Sequence, residues 1–368
     1  MASLASVTPL QPKSMPQLPV SWYTDPAIYA LEQKLLFPAA PKYIGHELMV
    51  PDHGDYHTLT WMNDAKTLVH GQQGIELISN VCRHRQALML NGRGHTNHIV
   101  CPLHRWTYNL QGELIGAPHF PENPCLHLNK SSLQNWNGLL FESTRDIAKD
   151  LAKLGCKQDF DFTGYMLDRV MIEEYSFNWK TFIEVYLEDY HVGPFHPGLD
   201  QFVDCENLNW EFGDWHSVQT VGIKQSLKKS GSSVYQRWQQ QVMQYSHDHP
   251  PQYGAIWMAY YPFLMIEWYP HVLVVSHLIP RGVDACTNIV EFYYPEDIAL
   301  FEREFIEAQQ AAYEETAVED KEICQRMHDG RRALFAQGID ERGPYQHPME
   351  TGLEHFHLWI RTQLEPHL

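Results

Sequence analysis

Beyond the first twenty residues the chain runs through two hydrophobic rhythms in turn. Asp25-Pro26 marks a helix start, a capping carboxylate followed by Pro at the first helical position. Ile28, Leu31 and Leu35 then recur at i, i+3 and i+7, which predicts an amphipathic helix over 26–37. From residue 43 to about 141 the rhythm shortens. Apolar runs at 74–81, 98–100 and 139–141 are separated by Gly, Asn, Asp and Pro, a pattern of strands and tight turns. A connection with a short helix is expected over 146–164. Strand and helix signals then mix: a helix over 178–190, strands over 255–261, 264–269, 272–279 and 287–294, and helices over 297–313 and 317–337. The pattern predicts an α+β fold in three parts. These are an arm and helix (1–39), an all-β domain (40–145), and a larger domain (146–368) with an antiparallel sheet flanked by helices. Residues 1–20, rich in Pro, Ser and Gln, are expected to form a loose arm on the surface.

Composition narrows the function. Of 368 residues 44% are hydrophobic and 20% charged, enough to bury a core and to exclude wholesale disorder. Asp plus Glu number 45 against 27 Lys plus Arg, a net charge of −18. Binding nucleic acid through its phosphates needs the opposite balance. No apolar run is long enough for a spanning helix, and the first twenty residues lack the apolar stretch of a secretion signal. A cytoplasmic protein without membrane association is expected. Seven cysteines, an odd number, suit metal ligation or inert burial better than a disulfide framework. No Gly-rich phosphate turn follows a strand, so no nicotinamide or flavin site is expected.

Two clusters carry chemistry. Cys82-Arg83-His84 and Cys101-Pro102-Leu103-His104 each offer one thiolate and one imidazole from a turn, with sixteen residues between the pairs. Two Cys on one iron and two His on the other is the ligand set of a Rieske [2Fe–2S] centre, where neutral imidazoles raise the potential. The alternative is a Cys₂His₂ zinc site, although zinc sites more commonly pair like ligands. Trp106 is placed to shield one side of a cluster from water.

The second cluster is spread out. His191 and His196 are five apart, which on a regular helix leaves them about 140° out of phase. They face one metal only if the helix breaks between them, and Gly193-Pro194 is expected to supply that break. Thr316-x-x-Glu319 reads as a capping box, so a helix should begin near Ala317. Asp320 then shares a face with Ile323 and Met327. Two His and one Asp complete a facial triad for non-haem Fe(II). Two surface histidines beside a turn and a first-turn Asp facing the helix dipole are the bland alternatives.

The paired boxes Cys82-Arg83-His84-Arg85 and Cys101-Pro102-Leu103-His104-Arg105-Trp106 resemble those of Rieske proteins, at the separation typical of Rieske oxygenases. Asn178-Trp179-Lys180 followed by Glu188-Asp189-Tyr190-His191 and His196 resembles the catalytic segment of Rieske non-haem iron oxygenases. The resemblance runs from about residue 22 to 360. It implies an all-β Rieske domain and a helix-grip catalytic domain. It implies a cluster on Cys82, His84, Cys101 and His104, and a mononuclear Fe(II) on His191, His196 and Asp320. Glu188 would bridge a cluster histidine of one subunit to the iron histidine of its neighbour in a head-to-tail homotrimer. Electrons would come from NAD(P)H through a separate reductase, with or without a ferredoxin, docked near Arg83, Arg85, Arg93 and Arg105.

Such a terminal oxygenase component hydroxylates or oxidatively demethylates a small organic substrate. Aromatic ring cis-dihydroxylation is the second expectation, and a Rieske electron-transfer protein the non-enzymatic one. Glu at position 188 resembles members that oxidise quaternary amines, such as carnitine oxygenase, and so favours monooxygenation. Alternate residues among Trp257, Tyr260, Tyr261, Phe263, Trp268 and Tyr269 are expected to line the pocket, where rings can face a cation. Purified protein should be brown-red and carry about three irons per chain; colourless protein with zinc would refute the assignment.

Overall fold

The computed structural model describes residues 16–247 and 249–368, apart from the side chains of 225 and 226. The expectation for the arm falls mostly on residues 1–15, outside the described residues. What is described of it is pinned down: Gln17 N–H donates to Gly343 O, and the Arg361 guanidinium donates to the carbonyls of Pro16 and Gln17. The next helix begins as its sequence requires, with the Asp25 carboxylate accepting from Ala27 N–H at 2.8 Å. Its middle turn widens to a π-turn at Glu32–Leu36. There Glu32, fully buried, accepts from Trp179 Nε1 and Lys180 Nζ. Trp22, Tyr23, Ile28 and Leu36 pack with Trp179, Leu353 and Phe356, so this helix is held by the C-terminal part of the chain.

The β-rich part is three small antiparallel sheets. The largest has the order Arg93–His95, Asp55–Thr58, Lys66–Gly71, Gly74–Ser79, Lys130–Ser131. A second joins Ile99–Val100, Thr107–Tyr108 and Leu114–Gly116. The third joins Tyr43–His46, Leu139–Phe141 and Gln134–Trp136 and meets the rest of the chain. Its Tyr43, Trp136 and Phe141 share a core with Ile256, Met258, Ile266 and Val275.

Those last residues belong to a seven-stranded antiparallel sheet. From one edge it runs Tyr165–Tyr175, Ala285–Pro295, Val272–Gly282, Leu264–Tyr269, Ala255–Tyr260, His216–Ile223, Val203–Phe212. Its central strands are buried on both faces, which explains their almost unbroken apolar text. Period two splits them. Ile256, Met258, Leu264, Ile266 and Val275 face the β-rich part. Trp257, Tyr269, Val274 and Phe292 face a helical layer with Trp238, Phe305 and Ala312. That layer contains Ser233–Tyr245, the long helix Arg303–Ala336, and Thr351–Leu364. Among the described residues no helix is long and apolar enough to cross a membrane.

One sequence expectation fails here. No helix starts at Ala317, because Arg303–Ala336 is continuous. Thr316 sits in its middle and its hydroxyl bonds to Tyr235 Oη at 2.7 Å, while Glu319 bonds to a histidine across the layer. Mid-helix amide groups already have partners four residues back, so the Thr316-x-x-Glu319 spacing has no orphan donors to satisfy.

The Glu32–Lys180 pair makes this frame sensitive to a single change, both side chains being 0% exposed. Removing one buried partner strands the other charge in the interior, so Glu32→Ala should lower stability by about 3–5 kcal/mol in urea unfolding.

Candidate metal centres

The two Cys-His loops are built to one pattern. Cys82 N–H donates to Ala87 O at 2.9 Å and Gln86 N–H to Cys82 O at 3.1 Å; Cys101 N–H donates to Trp106 O at 2.8 Å and Arg105 N–H to Cys101 O at 3.0 Å. Gln86 and Arg105, each four residues after the cysteine, take φ of 54° and 62°, the left-handed geometry that closes so tight a turn. Both thiols are buried, and His104 is exposed at the tip. The rings of His84 and His104 lie 4.5 Å apart. Trp106, buried, stacks on His84 at 4.9 Å, so its shielding falls on that imidazole. Arg83 N–H donates to Tyr108 Oη, which also hydrogen-bonds with Cys82 Sγ at 3.7 Å. His84 Nδ1 is buried with no hydrogen-bond partner. Two buried thiols and two converging imidazoles, one with an unpartnered nitrogen, fit a [2Fe–2S] group ligated by Cys on one iron and His on the other.

The second centre forms where a helix stops. Asn178 caps Trp179–Tyr186, its side chain accepting from Lys180 N–H at 3.0 Å. The chain re-enters a single helical turn at Val192–Phe195, with His191 before it and His196 after it. Gly193 and Pro194 therefore lie inside a turn and do not break it; Pro is tolerated there because first-turn amides have no intrahelical acceptor. The break is at His196 itself, with φ −112° and ψ 78°. Pro197 follows, and a residue before proline is pushed out of the α region. That exit turns the second imidazole back, leaving the two rings 4.8 Å apart.

Asp320, from the middle of the long helix, meets both. Its Oδ1 lies 3.0 Å from His196 Nε2 and 3.5 Å from His191 Nε2. The three side chains present ligand atoms all within 4.8 Å of one another. Each imidazole turns its other nitrogen to a further carboxylate: His191 Nδ1 to Glu188 Oε1 at 2.6 Å, and His196 Nδ1 to Glu319 Oε2 at 2.7 Å. Such outer carboxylates fix the tautomer and aim of a metal-binding histidine. Two imidazoles and a carboxylate with open sides suit a ferrous ion. Glu319 was missed in the sequence, where it read as half of a capping box; its adjacency to Asp320 is the only signal.

The protonation of the group follows from its contacts. Burial disfavours the imidazolium of His191, but hydrogen bonds to Asp320 and Glu188 outweigh it and lift the ring to about 10. His196 is raised too, against burial, by Asp320 and Glu319. Burial would raise Asp320, but the two imidazoles hold it down at about 2.

The triad opens into a cavity of ≈930 Å³ including its mouth, lined among others by Phe182, Tyr186, Trp238, Trp257, Tyr269 and Tyr313. Of the six aromatics in the 257–269 segment only Trp257 and Tyr269 reach it. Tyr260 is buried toward the β-rich part and Trp268 packs there, while Tyr261 and Phe263 pack with Trp179. The lining also includes Glu267, a carboxylate in the same strand that the aromatic reading passed over.

Residues 159–366 match the family model described as "Ring hydroxylating alpha subunit (catalytic domain)", and residues 41–135 match "Rieske [2Fe-2S] domain". The chain is 59% identical over 365 residues to putrescine 2-hydroxylase of Ralstonia nicotianae, covering 99% of this chain and 100% of the relative. It is 53% identical over 360 residues to putrescine 2-hydroxylase of Bordetella bronchiseptica, covering 94% and 84%. A crystal structure of the quaternary ammonium Rieske monooxygenase CntA superposes with a TM-score of 0.73 at 18% identity, covering 94% of this chain and 95% of that one.

Iron(II) uptake by metal-free protein must expel the proton that Asp320 and Glu188 hold on His191. Apparent affinity should therefore rise with pH, about tenfold per unit between pH 6 and 8. Calorimetry in buffers of different ionisation enthalpy should report at least about one proton released per ion.

Proposed function

Because the chain belongs to the ring-hydroxylating alpha-subunit family of Rieske oxygenases, and is thus an oxygen-incorporating oxidoreductase that hydroxylates a small organic substrate, we propose that its substrate is putrescine, 1,4-diaminobutane, oxidised at carbon 2. The charge inventory of the cavity carries this reading. Glu173, Glu188, Asp189, Glu267 and Asp320 line it, and among the described residues no Lys or Arg does. Asp320 and Glu188 are committed to the histidines, and Glu173 lies 3.5 Å from Lys321. Asp189 and Glu267, each 3% exposed, form no ion pair among the described residues. Burial pushes both carboxyls up to about 7. Two buried acids with no ion-pair partner among the described residues, set among aromatic rings, suit a dication with an apolar middle.

Cys82, His84, Cys101 and His104 would hold the cluster, and His191, His196 and Asp320 the ferrous ion. When bound, these groups supply single electrons and activate O₂ beside the substrate. The protein's own part is geometry. Glu188 and Glu319 hold the Nδ1 protons of the two ligand histidines, and the ring-lined wall keeps water from the reacting carbon. Overall one oxygen atom of O₂ enters a C–H bond as hydroxyl and the other leaves as water, with two electrons and two protons consumed. The electrons come from a separate reductase, with NAD(P)H as the ultimate donor.

The assembly we infer is a head-to-tail homotrimer working in the cytoplasm, with Glu188 linking the centres of adjacent subunits. Exposed His104 sits beside Leu103, 56% exposed, and Tyr190 beside His191 is 58% exposed. Apolar exposure at both centres is what such a contact would cover. With a surrogate reductase, putrescine should drive O₂ uptake and yield 2-hydroxyputrescine carrying one atom from ¹⁸O₂. Sedimentation should give three times the 42.9 kDa chain. Absence of putrescine-dependent uptake, or a dihydroxylated product, would refute the substrate reading.

A further inference from the structure

Glu267 lies in Leu264–Tyr269, the central strand of the seven, paired with Trp257 on one side and Val274 on the other. Its neighbours two residues away and across the strands are apolar or aromatic, so its carboxylate is an exception in that row. It is not left bare. Trp257 Nε1 donates to Tyr269 Oη at 2.9 Å, and Tyr269 Oη donates to Glu267 Oε2 at 2.7 Å. An indole N–H can only donate, so it fills an acceptor site of Tyr269 and leaves the phenolic proton for the acid. Tyr313 Oη donates to the other oxygen at 3.4 Å.

The arrangement orients the carboxylate without neutralising it. Glu291 makes a useful contrast. It too is buried and bonded by two tyrosines, Tyr43 and Tyr293, but on the opposite face of the sheet, closed under the β-rich part, and it lines no part of the cavity. Glu267 lines the cavity that the triad opens into. Other titratable groups around it are Tyr186 and Asp320, neither a cation.

The distance from the triad is set by one rigid element. Tyr313 and Asp320 are seven residues apart in the same long helix, about 10 Å along its axis. A ligand held at the Glu267–Tyr313 end and reacting at the Asp320 end must span that interval. Trp238 and Tyr269, with ring centroids 5.8 Å apart, also line the cavity.

We propose that Glu267, oriented by Tyr269 and Tyr313, seats one ammonium end of a linear diamine and so acts as the ruler that selects its chain length. The inference rests on the diamine reading above and adds the residue and the mechanism of selection. An ammonium there gains a charge-assisted hydrogen bond in a dry site and faces aromatic rings. The methylene chain then runs along the apolar wall toward His191, His196 and Asp320.

The test uses the iron-loaded, full-length enzyme with 1,3-diaminopropane, 1,4-diaminobutane and 1,5-diaminopentane. Turnover is measured with a surrogate reductase, and binding by anaerobic calorimetry. Iron content and the visible spectrum confirm that each variant is folded and loaded. Glu267→Gln keeps the shape and one acceptor oxygen for the tyrosines but removes the charge. It should weaken 1,4-diaminobutane binding and lower kcat/KM by about 30-fold or more. Glu267→Asp draws the carboxylate back by one methylene. It should shift the kcat/KM ratio of 1,5-diaminopentane to 1,4-diaminobutane about tenfold toward the longer chain, which a merely structural role would not do. If Glu267→Gln binds the diamine within threefold of wild type, or Glu267→Asp slows all three substrates equally, the ruler is overturned while the diamine reading stands. If the wild-type enzyme neither binds nor oxidises any of the three, both fall.

Discussion

The catalytic half of this protein is organised around one convergence of charge: a carboxylate from the middle of a 34-residue helix meeting two imidazoles from either end of a single helical turn. Burial disfavours charge on them, yet His191 is lifted and Asp320 lowered, each by the other, against that cost. A ferrous ion would replace the protons with one divalent centre while the ring positions stay set by Glu188 and Glu319. The frame has to hold these groups in place in both states. It does so with buried polar bonds under the histidine segment, Glu32 to Lys180 and Trp179, and Glu184 to Arg331 and His357. Such pairs add little net stability over an apolar core, but breaking one is costly, so they fix one geometry.

The seven-stranded sheet separates two kinds of work. One face is a dry core that locks the β-rich, cluster-bearing part to the catalytic part, and its buried acid, Glu291, is tied down by tyrosines from both sides of that junction. The other face supports the cavity, where a similar acid, Glu267, is oriented but has no ion-pair partner among the described residues. The same chemistry is structural on one face and available to a ligand on the other, because only one face is left open by the helices above it.

The charge of the cavity also bears on the proposed diamine substrate. An ammonium loses most of its hydration on entering an apolar site. Carboxylates already buried there have lost theirs as well, so the pairing restores to both what burial removed. A neutral aromatic hydrocarbon would bring Asp189 and Glu267 no cation to pair with, which is the physical argument against ring dihydroxylation in this chain.

The Cys-His boxes were legible in the sequence because a cluster loop is a local object: a tight turn places its two ligands, and only two such loops had to meet. The α+β class, the strand at 264–269 and the Asp25 cap were legible for the same reason, each being set by neighbours within a few residues. His191, His196 and Asp320 were legible as residue types in a family pattern, but the mechanism that aims them was not. The break lies at His196, imposed by Pro197, and Gly193-Pro194 sits inside a turn. Glu319 and Thr316 mimicked a helix start because side-chain spacing cannot reveal whether the preceding backbone is already helical. Glu267 was hidden for a different reason. A single acid in an aromatic strand has no local meaning until the fold decides which face it takes, what caps it and whether a cavity reaches it. The sequence by itself determined which chemical groups were present and their short-range turns. Only the tertiary structure decided which carboxylates lost their water and which found a cation, because desolvation and pairing depend on contacts from distant parts of the chain.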